Sequence, residues 1–439
     1  MKKLICVTML ILFAMPSFLF AGERVSLGFL YGASDSVNLV RRTNGSINEV
    51  APTYFDLNKK GNLVISSAYD EKFVAEMKND GIKITPFLSN HWSRTLGRAA
   101  LKNRENLTDQ IVQAIEKYDL DGINVDIENL TASDRDDFTE FVRLLREKLP
   151  AEKQLTVSVA PNPYAIDSSW QASYDYRALG ELVDYLFVMT YDEHSSGGAA
   201  RPVASGDFVE LSIQYALQHV DKSKIVIGIP LYGRFWRDGD DVGGEAIVIG
   251  DVPRVVSRFK GKTMYDKKAQ TPNAKFYVPE GSSVKVNGNV LAEGNYTVWY
   301  ENEQSIKYKL ELVNKYNLRG AGVWALGQEK VDVWEYYKEA LNEAFEEEEV
   351  VNIHELFATF QGVPMELEIE SEREEIKFEW KKFELEHKSN ILLEVIPKKK
   401  ENLKLRDRKE DVAEEKKPHS KYSVALHQNK LSYRPIGAA

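Results

Sequence analysis

The chain is predicted to be an α/β protein built as a closed (β/α)8 barrel, because short β-rich runs alternate with helix-spaced segments along about three hundred residues. Such a barrel typically takes about 250 residues, more with insertions, so a chain of 439 leaves room for one barrel and additional segments. At 43% hydrophobic and 11% aromatic it can bury a large core.

The expected strands run, in order, over Arg24 to Gly32, Val50 to Phe55, Ile84 to Ser89, Gly122 to Glu128, Leu155 to Ala160, Tyr185 to Tyr191, Ile225 to Pro230 and Gly320 to Leu326. Helical spacing is clearest over Leu107 to Tyr118, Asp134 to Leu149 and Ser305 to Tyr316. Between strands 7 and 8 the chain makes a detour, from Arg237 to Tyr300. There Asn287-Gly288 between valine-rich runs signals a hairpin, and Pro272, Pro279 and several glycines punctuate the rest.

Both ends differ from this middle. Lys2 and Lys3 precede the apolar run Leu4 to Phe20, and Ala21 is a small residue where cleavage could follow, so residues 1–21 read as a signal peptide and the mature protein as exported. The run is long for a signal core, and a retained N-terminal anchor is the alternative. A membrane is a partner only in that case. The single cysteine, Cys6, lies in this segment, which leaves the mature chain without a disulfide or a cysteine-based metal site. Residues 22–345 hold the barrel with its insertion at about 237–300, and 346–439 form a C-terminal extension. In the extension Met365 to Glu370 and Ile376 to Glu386 alternate apolar with charged residues like two half-buried strands, and Pro397 to Pro418 is too densely charged to bury much surface, hence expected to be flexible. The formal net charge of −10, without a basic stripe, argues against a nucleic-acid partner.

The most informative run is Asp121-Gly122-Ile123-Asn124-Val125-Asp126-Ile127-Glu128. A strand sets alternate side chains on one face, so Asn124, Asp126 and Glu128 line up while Ile123, Val125 and Ile127 face the other way. Two carboxylates in an apolar segment cost several kcal/mol unless they are paired or used, which marks a site.

Asp-Gly-x-x-x-Asp-x-Glu resembles the signature of family 18 glycoside hydrolases, the chitinase-like enzymes. Three further segments resemble that family in the same order: Met189-Thr190-Tyr191-Asp192, Gly228-Ile229-Pro230-Leu231-Tyr232-Gly233-Arg234, and Gly322-Val323-Trp324-Ala325-Leu326-Gly327. The resemblance spans about Arg24 to Ala344 and implies a TIM barrel, with a small α+β insertion between strands 7 and 8 that deepens one wall of a cleft.

It also implies roles. Glu128 would be the general acid, and the acetamido group of an N-acetylglucosamine unit would be the nucleophile, family 18 being among the substrate-assisted exceptions to two-carboxylate catalysis. Asp126 would hold the acetamido N–H and stabilise the oxazolinium as it develops, and its charge would keep Glu128 protonated. Tyr191 would donate to the acetamido oxygen, Asp192 would support the sugar ring or Asp126, and Trp324 would stack under the sugar. Asp121, Tyr232 and Arg234, by their places in the matched motifs, complete the substrate-binding set. No metal or organic cofactor is required, and the partner is a polysaccharide containing N-acetylglucosamine.

Each residue has an alternative structural reading: a solvated strand end for Asp126 and Glu128, an ordinary strand terminus for Tyr191 and Asp192, core packing for Trp324. For His91 and His194 a surface or packing role outweighs a place in the cleft, and Trp92, Trp236 and Trp299 could be sugar platforms or core. Most chitinases of the family have Asp where this chain has Asn124, whose amide can still hydrogen-bond Asp126. That Asn, with Met189 to His194, is similar to the bacterial branch of spore-cortex and cell-wall N-acetylglucosaminidases, although Arg201 replaces a frequent Gly before Pro202 and the branch's lysin-motif repeats are missing. Peptidoglycan is therefore the expected substrate. Chitin oligomers, or a non-catalytic lectin-like barrel, are the alternatives, and retention of Glu128 favours an enzyme.

Overall fold

The computed structural model describes residues 24–344 except 33, 34, 195, 196, 241 and 242, together with the backbone of two hairpins in the C-terminal extension. The expected signal peptide, residues 1–21, and the charged stretch between Pro397 and Pro418 lie outside the described residues.

In chain order the strands are β1 (Val25–Leu30), β2 (Glu49–Pro52), β3 (Phe55–Leu57), β4 (Leu63–Ile65), β5 (Lys83–Ile84), β6 (Phe87–Ser89), β7 (Gly122–Asp126), β8 (Gln154–Val159), β9 (Tyr185–Val188), β10 (Ile225–Pro230), β11 (Tyr232–Arg237), β12 (Glu245–Val248), β13 (Lys262–Asp266), β14 (Thr271–Val278), β15 (Val284–Val286), β16 (Asn289–Leu291), β17 (Gly294–Trp299) and β18 (Gly320–Trp324). The expected second and third strands are each broken in two, β2 with β3 and β5 with β6. Proline explains the break, because Pro52 and Pro86 have no N–H to give to a ladder.

The broken halves still close the ring. β2 pairs with β5 below the break and β3 with β6 above it, both parallel. From β6 the parallel order continues through β7, β8, β9, β10 and β18 to β1 and back to β2, which makes eight staves. β4 folds antiparallel onto β3 as an outer flap.

All five residues of β7 are buried, and the apolar set Ile123, Val125 and Ile127 packs outward against the helices, which include Arg104–Lys117 and Arg135–Lys148. The first of these starts before Leu107 and the second just after Asp134, the starts expected from periodicity, differences of the size that fraying of helix ends produces.

The barrel interior is unusually polar near its base. The buried Glu49 accepts from Thr85 Oγ1 at 2.7 Å, Gln154 Nε2 at 2.6 Å and Tyr185 Oη at 2.8 Å, so three strands and the link between β5 and β6 share one carboxylate.

The insertion begins earlier than the sequence indicates. β11, the run from Tyr232, leaves the barrel and joins a five-stranded antiparallel sheet ordered β12-β11-β17-β14-β13, which packs a core of its own around Phe235, Val255, Phe276 and Val298. The Asn287-Gly288 hairpin links β15 and β16 as expected, with φ of 45° and 88° at its two central residues.

The extension from Glu346 forms a separate compact unit. Met365–Glu372 and Glu375–Lys382 pair antiparallel, as the alternation indicates, and Tyr422–His427 pairs with Lys430–Pro435 in a hairpin that the sequence reading does not anticipate.

Candidate active site

The C-terminal ends of parallel strands are where barrel enzymes place their chemistry. Asp126 is the last residue of β7 and Glu128 follows two residues later, beyond the point where β6 and β7 stop pairing at Ser89 and Asp126. Asp126 is 5% exposed, and its Oδ1 is buried without a hydrogen-bond partner. Burial pushes its carboxyl up to about 7, against a smaller opposing pull from the nearby His91. Glu128 is only partly exposed, and much of what surrounds its carboxyl is protein. Burial raises its pKa well above the usual range, and the charges of Asp126 and Asp192 raise it further. The two carboxyls thus hold fewer charges at neutral pH than exposed ones would, and they titrate as a pair.

Tyr191 stands beside them. Its hydroxyl is raised first by burial and then by the charges of Asp126 and Glu128, so it stays a proton donor across the working range. Room for its ring comes from Gly228, where a Cβ would lie 2.5 Å from Tyr191 Cε1. Asp192, at φ 56°, turns its carboxylate into a cage of donors: Tyr232 Oη at 2.7 Å, Arg234 Nη2 at 2.7 Å and Arg234 Nε at 3.1 Å all reach Oδ1. Tyr232 and Arg234 sit on β11, so the insertion itself holds Asp192. Arg234 also donates to the Gly244 carbonyl at 2.7 Å and lies over the Tyr232 ring, 5.5 Å from its centre.

Trp324 ends β18 and is partly exposed, its ring resting on Phe29 at 5.3 Å and near Phe87 at 5.9 Å and Tyr31 at 5.7 Å between centroids. It is therefore both the top of the barrel core and one surface of a cleft that Asp192, Tyr232, Arg234, Asn287 and Gln328 also line.

Two expectations are corrected. Asp121 precedes β7, at the opposite end of the strand from Glu128, and its Oδ2 accepts the Ile84 N–H at 2.8 Å; it pins β5 to the base of the barrel and does not reach the cleft. Asn124 does not bond to Asp126. Its Nδ2 donates to Thr156 Oγ1 at 2.9 Å and its Oδ1 accepts from Ser158 Oγ at 2.8 Å, because the neighbouring strand β8 turns two hydroxyls into the barrel. Asn124 therefore forms the polar floor under Asp126.

Of the other candidates, His194 is tied to the Pro202 carbonyl at 3.1 Å and Trp236 is packed into the insertion, whereas Trp92 is 51% exposed and contacts Trp170 edge-on at 4.9 Å. His91 pairs with Asp56 at 2.7 Å on the rim. Residues that no sequence signal singles out also touch the site: Asn90 brackets the backbone of Glu128, and Tyr174 donates to the Ile127 carbonyl at 3.1 Å.

This arrangement offers an acid of raised proton affinity, a second, buried carboxylate next to it, a phenol donor and an aromatic surface. The profile of the glycosyl hydrolases family 18 matches residues 33–329. The chain belongs to this family. As a family 18 protein it is a glycoside hydrolase of the chitinase and N-acetylglucosaminidase type.

Among its relatives, an uncharacterized glycosylase YvbX of Bacillus subtilis is 26% identical over 352 residues, 76% of this chain and 98% of that protein. The cortical fragment-lytic enzyme of Bacillus subtilis is 30% identical over 289 residues, 62% of this chain and 63% of that protein, so the match spans under two thirds of that enzyme. The crystal structure of a chitinase from Chromobacterium violaceum superposes with a TM-score of 0.65 at 26% identity, covering 73% of this chain and 99% of that one.

Proposed function

We propose that this protein is an exported glycosidase that cleaves β-linked N-acetylglucosamine polymers with retention, using the substrate's acetamido group as nucleophile. One observation carries the reading: Asp126 and Glu128 lie two residues apart at the mouth of the barrel, Asp126 buried and Glu128 partly exposed, with the pKa of Glu128 raised by its surroundings and by Asp126. An acid whose proton affinity is raised beside a second carboxylate can protonate a leaving glycosidic oxygen near neutral pH.

The unpartnered Oδ1 of Asp126 suits an N–H donor from the substrate, since a buried acceptor without a partner costs stability until something fills it. With the acetamido N–H held there and its oxygen approached by the Tyr191 hydroxyl, that oxygen can attack the anomeric carbon as Glu128 gives its proton to the leaving group. Ionised Asp126 then stabilises the positive oxazolinium, and Glu128 as its carboxylate takes a proton from the water that opens the ring. Asp192, fixed by Tyr232 and Arg234, supports the sugar and the neighbouring charges. Trp324 provides the stacking surface.

Peptidoglycan is the favoured polymer, supported by the likeness to the cortical fragment-lytic enzyme. Chitin oligomers are the second reading, supported by the likeness to a chitinase along nearly the whole length of that chain. The proposal of export rests on the apolar leader after Lys2 and Lys3. Glu128→Gln preserves the shape of the acid but removes its proton, and the loss of a general acid costs on the order of 100-fold to 10,000-fold in kcat. Turnover of chitin oligomers and of purified peptidoglycan by both forms tests the reading. Retention of more than about half the activity by Glu128→Gln would defeat it.

A further inference from the structure

The catalytic strand ends before the catalytic residue does. The β6–β7 ladder stops at Ser89 and Asp126, and beyond it the β6 chain turns away, with His91 and Trp92 at φ 48° and 60°. The backbone of Glu128 therefore has no strand beside it to fix its direction. Asn90, fully buried at the end of β6, fills that place with its side chain: its Oδ1 accepts the Glu128 N–H at 2.9 Å and its Nδ2 donates to the Glu128 carbonyl at 2.8 Å.

A primary amide has the same donor and acceptor as a peptide group, so one side chain satisfies both backbone groups of Glu128. The clamp is itself held. Nδ2 of Asn90 also donates to the Ser93 carbonyl at 3.0 Å, and the Ser93 N–H returns to the Asn90 carbonyl at 2.8 Å. On the preceding peptide Tyr174 grips the Ile127 carbonyl, and on the following residue Arg94 holds the Asn129 carbonyl at 2.7 Å with Asn129 at φ 57°. The backbone on each side of Glu128 is thus anchored to different elements, and Asn90 is the only group that bonds Glu128 itself at both ends among the described residues.

We infer that Asn90 is a positioning residue that stands in for the missing strand partner and sets the direction in which the Glu128 carboxyl points. It touches no reacting atom. Its effect falls on the chemical step: a displacement on the order of 1 Å in a catalytic group costs about 100-fold in rate, whereas the substrate is held elsewhere, at Asp126, Tyr191 and Trp324. The inference rests on Glu128 being the acid, as proposed above.

The test compares full-length wild type, Asn90→Ala, Asn90→Asp and Glu128→Gln on an aryl glycoside of di-N-acetylchitobiose, with folded protein quantified by circular dichroism and melting temperature. Asn90→Ala is expected to lower kcat about 100-fold with KM within about twofold. Asn90→Asp keeps the size and the acceptor but replaces the donor with a second anion beside Glu128, which raises the pKa of the acid; because the acid must be protonated, the alkaline limb of kcat/KM moves to higher pH.

A folded Asn90→Ala with wild-type kcat overturns the inference, as does a loss in melting temperature with no loss in kcat per folded molecule. If Asn90→Ala does not fold, Asn90→Asp decides: wild-type kcat and an unmoved alkaline limb overturn it. An active Glu128→Gln instead removes the reading underneath, whatever the Asn90 variants do.

Discussion

Asn124→Asp restores the third carboxylate that most chitinases of the family carry, and the structure allows its effect to be worked out. Residues 124 and 126 share the inward face of β7, so their Cα atoms are about 6.6 Å apart. Two like charges at that distance interact by about 2.5 kcal/mol at an effective dielectric of about 20, equivalent to nearly two pH units. The new carboxylate would be fully buried but not orphaned, because Ser158 Oγ already donates to this position and the Thr156 hydroxyl can rotate to do the same. It can therefore ionise and act on Asp126.

In the proposed mechanism Asp126 must be charged to stabilise the oxazolinium; with burial pushing its carboxyl up to about 7, kcat/KM is expected to fall as the pH drops through that value. In Asn124→Asp the acidic limb should move upward by about one to two units, and the pH dependence of kcat/KM on one oligosaccharide reads this directly because it reports free-enzyme ionisations. Superimposed profiles would show that residue 124 does not communicate with the pair. A limb that moves downward would show the new group keeping its proton and donating to Asp126, which equally refutes the electrostatic argument.

Further outcomes follow from the same geometry. Burial raises the Asp126 carboxyl from 3.8 to about 7, so the folded state bears a penalty that is absent below the unfolded pKa, grows between the two values, and is complete above about 7, at most about 4 kcal/mol. Asp126→Asn should consequently raise the melting temperature more at pH 8 than at pH 4 while abolishing most activity, and an equal shift at both pH values would contradict the burial argument. Tyr232→Phe removes one of three donors to Asp192 Oδ1, a hydrogen bond to a charged group worth about 1.5 kcal/mol or roughly tenfold, and should lower kcat/KM by that factor with the fold intact by circular dichroism.

Much of this site can be read in the sequence, because the period of two in Asn124, Asp126 and Glu128 survives folding. Glu128, however, lies past the hydrogen-bonded end of the strand, where periodicity carries no information about what holds it. Its partner Asn90 sits in a stretch with no charge pattern and follows the end of a different strand. The Thr156 and Ser158 hydroxyls that take the Asn124 amide are likewise contributed across the sheet, and register between strands is not written in either strand alone. Asp121 is misread for a related reason: membership in a motif says nothing about which end of a strand a residue occupies.

The fold shows the same division. The eight staves follow from alternating runs. The breaks at Pro52 and Pro86 are visible in the sequence as lost donors, yet only the pairing of β2 with β5 and of β3 with β6 shows that the ring still closes across them. Tyr232 and Arg234 continue an apolar strand without interruption, and it is the antiparallel pairing of β11 with β17 that assigns them to the insertion and lets the insertion cage Asp192.

The central claim is that the substrate's own acetamido group attacks the anomeric carbon, with Asp126 and Tyr191 holding it and Glu128 supplying the proton. It is tested most directly by comparing kcat/KM on a fully N-acetylated oligosaccharide and on its fully de-N-acetylated counterpart of the same length, at a pH where both are soluble. The mechanism predicts ready cleavage of the acetylated chain and none measurable for the other, since the nucleophile is gone. Turnover of the de-N-acetylated chain at a comparable rate would contradict it.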